Sequence, residues 1–375
     1  MAGIYIHIPF CKKKCSYCDF YSIGFRNEFD SYKELIKKEI DYRKSFLNNE
    51  EIETIYFGGG TPSLIPESDI STIVQHIKST FNVSENPEIT LEANPDDLTS
   101  EKLETFLKTG INRLSIGIQS FSNQELKLLG RRHDAESAKK SIRLAQKVGF
   151  KNISIDLIYG LPESTLKSWE NTLNESFAVN VQHLSCYHLT YEEGTPFHRK
   201  LIKGTIKEID EELSEQQFLM MRDMTSKNGF LHYEVSNFAK DGFISKHNTS
   251  YWKGYSYLGL GPSAHSYDGQ VRQWNTRSYD EWARNIESGN IKLEGETLDT
   301  IKKFNEILLT RLRTIWGIDL IKLKCQFGSK MVDSLIHNSE RYISQGKMIL
   351  KDDKLSIHPN HFFISDGIIT DLLVV

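Results

Sequence analysis

The chain has 375 residues, of which 39% are hydrophobic and 26% charged, with a formal net charge of −4. That length exceeds one small core and predicts two or three structural units, while the lack of a basic excess argues against non-specific nucleic-acid binding. No apolar run reaches the roughly 18 residues of a membrane span, and Gly3–Ile8 reads as a strand rather than a signal peptide, which with reduced thiols points to the cytoplasm.

That first strand runs directly into Cys11, Cys15 and Cys18, spaced C-x3-C-x2-C. Three thiolates from one loop are one short of the set that usually closes a [4Fe–4S] cubane. One iron is then left open to a small molecule. Zinc motifs bring cysteines in C-x2-C pairs, with a second pair or histidines further on. Here the neighbouring histidine is His7, which alternation places within the strand. A disulfide framework needs an oxidising compartment and more even cysteine use. Cys186 and Cys325 stand far apart and read as small buried apolar residues.

From the start to about residue 230, β-rich runs alternate with amphipathic helical stretches. The predicted strands are Gly3–Ile8, Glu53–Phe57, Glu88–Ala93, Arg113–Ile118, Asn152–Ile158 and His183–Leu189. Between them, helices are predicted at Tyr32–Arg43, Ile70–Thr80, Glu101–Lys108, Ala135–Val148 and Leu166–Phe177. This alternation means βαβ units and a parallel sheet. Both a partial (β/α)6 barrel and a doubly wound sheet fit the count. The polar residues of interest lie at or just after strand ends on successive units, which is what a barrel rim does, whereas a doubly wound sheet gathers them at one switch point. The predicted fold class is therefore α/β, a partial (β/α)6 TIM-like barrel.

Gly58-Gly59-Gly60-Thr61-Pro62 follows the second strand. It is neither a P-loop nor a dinucleotide fingerprint, since both spacings are missing; its glycines permit close backbone approach of an amino-acid-like ligand. Glu92, Gln119, Arg131 and Asp156 occupy rim positions. Together they suit a ligand with ribose hydroxyls and an α-amino acid end: Arg131 can pair a carboxylate, and the two acids accept from hydroxyl or ammonium groups. Asp134 reads as the N-cap of the helix from Ala135.

Beyond residue 230 the pattern changes. Residues 231–297 are rich in Gly, Tyr and Trp and read as a connecting segment packed on the barrel. Within it, His247 stands close in sequence to Tyr251, Trp252, Tyr255 and Tyr257. His188 and His265 read as hydrogen-bonded core histidines. Residues 298–375 predict helices at Ile301–Arg313 and Met331–Gln345. A hairpin then turns at Asp352-Asp353, giving a smaller α+β, winged-helix-like domain. Its weak charge suits packing or a protein partner rather than DNA.

The cysteine motif with Tyr17 before its third cysteine, the Gly-Gly-Gly-Thr-Pro run, Glu92-Ala-Asn-Pro, Gly117-Ile-Gln-Ser and Asp156-Leu-Ile-Tyr-Gly-Leu-Pro together resemble the radical S-adenosylmethionine (SAM) superfamily. Within it, the chain resembles the oxygen-independent coproporphyrinogen III oxidase group. The resemblance implies a core at 1–230 and a [4Fe–4S] cluster on Cys11, Cys15 and Cys18. It also implies a SAM site comprising Tyr5, Tyr17, Gly59, Gly60, Thr61, Glu92, Gln119, Arg131, Asp156 and Thr190. The oxidases continue with a further cysteine where this chain has Phe20, and they carry a long extension ahead of the cluster loop where this chain has ten residues before Cys11. Cys18-Asp-Phe-Tyr-Ser and His247-Asn-Thr-Ser-Tyr-Trp252 instead resemble the haem chaperone branch. That branch implies haem as cargo, with His247 the best candidate for its axial ligand, haem-acceptor proteins as partners, retained cluster and SAM, and a reductant protein as a further partner. The alternative implied is the porphyrinogen oxidase itself.

Overall fold

The computed structural model describes residues 1–24 and 29–374. Six strands form where the β-rich runs lie: β1 (Ala2–Ile8), β2 (Ile52–Gly59), β3 (Val83–Ala93), β4 (Arg113–Gln119), β5 (Ile153–Tyr159) and β6 (His183–His188). They pair in parallel, each with the next in the chain. Sequential order is that of a barrel wall; a doubly wound sheet would reverse direction at a switch point. The chain is thus an α/β protein with the partial (β/α)6 arrangement.

Side-chain alternation explains why this wall forms. On β2 to β5, Ile55, Phe57, Ile89, Leu91, Leu114, Ile116, Ile153 and Ile155 are buried and join one apolar core. The intervening residues form polar rows across the strands: Glu92, Ser115, Ser154 and His183 stand in register, as do Gly117, Asp156 and Ser185. Period-two alternation turns the apolar set outward under the helices and the polar set into the lumen. The covering helices, among them Phe29–Arg43, Glu67–Thr80, Ala135–Val148 and Leu166–Ala178, bury Ile36, Ile73, Ile142 and Leu173 against that outer face. Asp134 caps its helix as expected, its carboxylate accepting from Ser137 N–H at 2.8 Å.

The Gly/Tyr/Trp-rich region supplies the rest of the same sheet: β7 (Leu231–Glu234), β8 (Asn237–Ala239), β9 (Ser256–Leu260), β10 (His265–Tyr267), β11 (Val271–Asn275) and β12 (Leu293–Thr297). The spatial order is β12-β11-β10-β9-β1-β2-β3-β4-β5-β6-β8-β7. β9 pairs parallel with β1, and β8 antiparallel with β6. Among the described residues the wall stays open, with β12 and β7 at its edges.

Past Thr297 come helices Thr300–Arg311, Leu320–Phe327 and Ser329–Ser344 and a hairpin of Met348–Lys351 and Lys354–Ile357, to which Ile318–Asp319 adds a third strand. The helix–helix–hairpin reading holds, with the short helix Leu320–Phe327 as an addition. Asp352 and Asp353 have φ of 51° and 56°, the two left-handed residues of a type I′ hairpin turn. Cys186 is buried as expected, but Cys325 is exposed. It follows Lys324 on the outer face of a short helix, which hydropathy alone does not reveal. No helix among the described residues is long and apolar enough to cross a membrane.

One buried carboxylate joins three of these elements. Glu39, on Phe29–Arg43, accepts from Gly261 N–H at 2.8 Å, Asn275 Nδ2 at 2.7 Å and Trp282 Nε1 at 3.0 Å. Removing it orphans three buried donors together. Glu39→Ala is expected to cost about 3 kcal/mol or more in denaturant unfolding. Glu34→Ala, which loses only a surface pair with Lys37, should stay within about 0.5 kcal/mol.

Candidate functional site

The carboxyl ends of β1 to β5 converge on one rim, and the cysteine loop lies across it. Cys11, Cys15 and Cys18 are all half-buried free thiols. Burial raises the Cys11 thiol above its usual value and pushes Cys18 up to about 11, so a bound metal centre must displace their protons. Among the described residues no group of three or more His, Cys, Asp or Glu side chains can hold a single metal ion. The donor set on the loop is three soft thiols, which suits an iron–sulfur cluster; a closed zinc site needs a fourth ligand around one ion.

Arg131 ties this loop to the barrel. Its Nη1 donates to Cys15 Sγ at 3.3 Å, and its Nη2 donates at 2.5 Å to both Asn94 Oδ1 and the Gly117 carbonyl. Its Nε is buried without a hydrogen-bond partner in the protein, an unused donor beside the thiols. On the other side Thr61 Oγ1 donates to Cys11 Sγ at 3.5 Å and accepts from Asn94 Nδ2 at 3.3 Å. Asn94, the residue after β3, thereby bridges the two loop anchors. Its position past a strand end is the signal that marks it, and it adds to the residues expected from sequence.

Between these anchors the backbone is held bare. A Cβ on Gly60 would lie 2.7 Å from the Phe10 carbonyl and 3.1 Å from Cys11 Sγ, and one on Gly58 would lie 3.0 Å from Glu92 Oε1. Gly59 adopts φ 107° and its N–H donates to Glu92 Oε2 at 3.2 Å. Gln119 has φ 73°, left-handed for a non-glycine residue, at a register shift between β4 and β5. A strained bulge at a strand end re-aims the side chain.

Two carboxylates stand in the lumen below. Glu92 accepts from Tyr56 OH at 2.7 Å and Asp156 from Ser115 Oγ at 3.1 Å. Loss of solvent inside the barrel pushes Glu92 up to about 7 and Asp156 to about 6. Tyr5 bonds His7 Nδ1 through its hydroxyl at 3.1 Å and lies against the Tyr56 ring. Tyr17 packs on the cluster of Leu129, Ile158, Leu161, Leu189 and Phe197 under the loop. Thr190 is exposed, just beyond β6.

His247 lies elsewhere. It is buried at the opposite end of the barrel, where its Nδ1 meets Thr54 Oγ1 at 2.7 Å and its Nε2 meets Tyr251 OH at 2.9 Å. Its backbone N–H donates to Glu88 at 2.9 Å and its ring stacks on Tyr56 at 4.9 Å. With both ring nitrogens engaged, this imidazole plugs the base in the conformation described; the ligand role expected for it requires giving up one of those bonds. His188 and His265 depart from expectation in the other direction: both are exposed rather than core histidines, although His188 Nε2 meets Ser214 Oγ at 3.1 Å.

Residues 5–175 match the family model of the Radical SAM superfamily. The haem chaperone HemW of Bacillus subtilis (strain 168) is 32% identical over 367 residues, covering 93% of this chain and 97% of that protein. The HemW of Escherichia coli (strain K12) is 35% identical over 267 residues, 70% of this chain and 69% of that protein. The solved structure of the coproporphyrinogen III oxidase HemN from Escherichia coli, a radical SAM enzyme, superposes with a TM-score of 0.86 at 21% identity, over 100% of this chain and 90% of that one. That last match speaks to fold. The matched superfamily defines the class, and the near-full-length relatives narrow it: the chain belongs to the radical SAM superfamily, in the family of the HemW haem chaperones.

The raised acids give a testable pH dependence. An acid whose folded pKa lies above its unfolded value favours the fold while protonated, so its contribution falls as pH rises through the folded value. The stability of the wild type relative to Glu92→Gln is therefore expected to fall between pH 4.5 and about 7, measured by urea unfolding of the metal-free protein. A difference flat across that window contradicts the assignment.

Proposed function

We propose that this chain carries haem to acceptor proteins, with a [4Fe–4S] cluster on Cys11, Cys15 and Cys18 and exchangeable SAM at its open iron. The observation that carries the reading is the match to proteins named haem chaperones across 93% of the chain, extending through β12 and the winged-helix-like module. A shared barrel alone would leave both regions unmatched. Phe20, where the oxidases have a further cysteine, is 63% exposed beside the loop.

The rim residues suit the two ends of SAM. Arg131 would hold a carboxylate through its Nε, and the bare backbone of Gly59 and Gly60 with Thr61 would admit the amino acid end next to the thiols. Glu92 and Asp156 accept from ammonium or ribose hydroxyl donors. Tyr5, Tyr17 and Gln119 shape the walls, and Thr190 would add a contact from β6. The cluster supplies electron transfer when bound; the protein's part is to hold, orient and shield. Acceptor proteins and a reductant protein complete the proposed set of partners.

Hemin titrated into the anaerobically prepared full chain is expected to give a saturable Soret change at one haem per chain; absence of saturation removes the carrier reading. The same preparation, given coproporphyrinogen III, SAM and a reductant, is expected to form no protoporphyrinogen, and product there would favour the oxidase reading. Arg131→Gln should weaken SAM binding roughly tenfold or more, the worth of a hydrogen bond to a charged group, measured by equilibrium dialysis on the reconstituted protein.

A further inference from the structure

A short helix backs the cysteine loop. The Ser16 carbonyl accepts at 2.9 Å from the N–H of Phe197, the second residue of the helix Pro196–Ile202. Thr195 caps that helix, its Oγ1 accepting from His198 N–H at 3.1 Å. Phe197 is buried with Leu129, Ile158, Leu161 and Leu189, and Tyr17 of the loop packs on the same cluster. Anchored by that one ring, the helix leaves Arg199, Lys200 and the following Lys203 exposed. On the loop itself, Lys12, Lys13 and Lys14 are exposed between Cys11 and Cys15.

The charge of this surface runs against that of the chain. Residues 11–20 and 191–208 hold seven Lys or Arg against four Asp or Glu, in a chain with 46 against 50. Lys12 is tied to Asp97 at 2.7 Å. Lys14 reaches only the Phe20 carbonyl, at 3.4 Å, and Lys200 lies over the Phe197 ring at 5.7 Å. Among the described residues Lys13, Lys14, Lys200 and Lys203 form no ion pair. The charge of Lys14 also acts on the thiols of Cys11 and Cys18. Ile202 is 73% exposed and Phe20 63%, the two most exposed large hydrophobic side chains among the described residues.

Apolar side chains ringed by free ammonium groups match the centre and rim of a protein interface. Large apolar side chains left in water gain when a partner covers them. Attraction between opposite charges speeds encounter and weakens with salt, which gives contacts that form and release quickly. Electron-carrier contacts are of this small, transient kind. Asp19, Glu192, Glu193 and Glu208 bound the patch, which favours a partner of limited footprint over an extended polyanion or an anionic bilayer. The thiols are half-buried in the same loop, so a partner seated here lies against the segment that would hold the cluster.

We propose that the surface of Lys13, Lys14, Lys200 and Lys203 around Phe20 and Ile202 docks an acidic one-electron carrier protein. The proposal rests on the reading of the three thiols as a cluster site, and it gives the reductant partner a place and a charge. One electron passes from the reduced carrier to the oxidised cluster, the carrier is oxidised by one electron, and no covalent bond forms or breaks.

The probe is an acidic flavodoxin, offered anaerobically to the full chain. Stopped-flow fluorescence gives its association rate with metal-free and with reconstituted protein. Visible absorbance gives the rate of cluster reduction by its hydroquinone in the latter. Lys13→Glu combined with Lys200→Glu is expected to slow association about tenfold in both preparations and to flatten its decline with added salt. Cluster reduction by flavodoxin should slow by the same factor, while reduction by photoreduced deazariboflavin, an uncharged small molecule, stays unchanged. Phe20→Ser combined with Ile202→Ser should speed dissociation and keep the salt dependence. Lys13→Gln with Lys200→Gln should give an intermediate rate, and it is the substitute if charge reversal disturbs the circular dichroism. Lys322→Glu with Lys351→Glu, an equal change of charge on the winged-helix-like module, should leave the rate within about twofold of wild type. Association unchanged in the loop and helix variant, or slowed as much by the distant pair, overturns the proposal. So does loss of binding to phosphatidylglycerol vesicles with flavodoxin association intact, which would make the patch a membrane contact. A reconstituted protein that holds no cluster removes the cluster reading, while association with the metal-free chain still decides this one.

Discussion

Parallel pairing in register is the constraint on which the rest of the molecule depends. Because neighbouring parallel residues point the same way, the rows Glu92–Ser115–Ser154–His183 and Gly117–Asp156–Ser185 face the lumen together. A slip of one residue on any strand would send its isoleucines inward and its acids under the helices. The same register brings successive strand ends to one level, so that the Gly58–Gly60 turn, Asn94, Gln119 and Arg131 share a rim. The rim follows from the wall.

On that rim, one side chain decides how the cysteine loop sits. Arg131 reaches from the segment after β4 to Cys15, Asn94 and the Gly117 carbonyl at once. A guanidinium can do this because its donors are planar and fixed in direction; a lysine ammonium would satisfy the partners only singly. Burial of the thiols keeps Cys11 and Cys18 protonated until a metal centre displaces the protons. Affinity for the centre is then linked to pH and to the folded state of the loop.

Much of this was legible in the sequence. The strands and helices up to His188 fall within a few residues of their expected positions, since runs such as Ile153–Tyr159 alternate clearly and Asp134 and Gly149 mark helix ends. The three cysteines stand out by their spacing just past β1, and Glu92 and Asp156 by carrying charge inside otherwise apolar strands. Residues 231–297 were not, because strands as short as Asn237–Ala239 and His265–Tyr267 carry too few alternations to register. The two histidines there differ from their expected surroundings. His247 sits in an aromatic run that reads as a pocket, yet Thr54, 193 positions away in the chain, and Tyr251 take up its ring. His265 looks like a core residue beside Ala264 and Ser266, but β10 lies near the sheet edge and turns it outward. Partners distant in sequence, not local composition, separate the two.

The centre of the proposed function is an iron–sulfur cluster held by three thiols, with its fourth iron open to SAM. Mössbauer spectroscopy of anaerobically reconstituted, iron-57-labelled protein, recorded with and without SAM, tests this most directly. The predicted result is a [4Fe–4S] cluster in which SAM changes the signal of a single iron, with cluster formation lost when Cys11, Cys15 and Cys18 are replaced by alanine. A cluster spectrum indifferent to SAM, or a cluster that survives loss of all three cysteines, would contradict it.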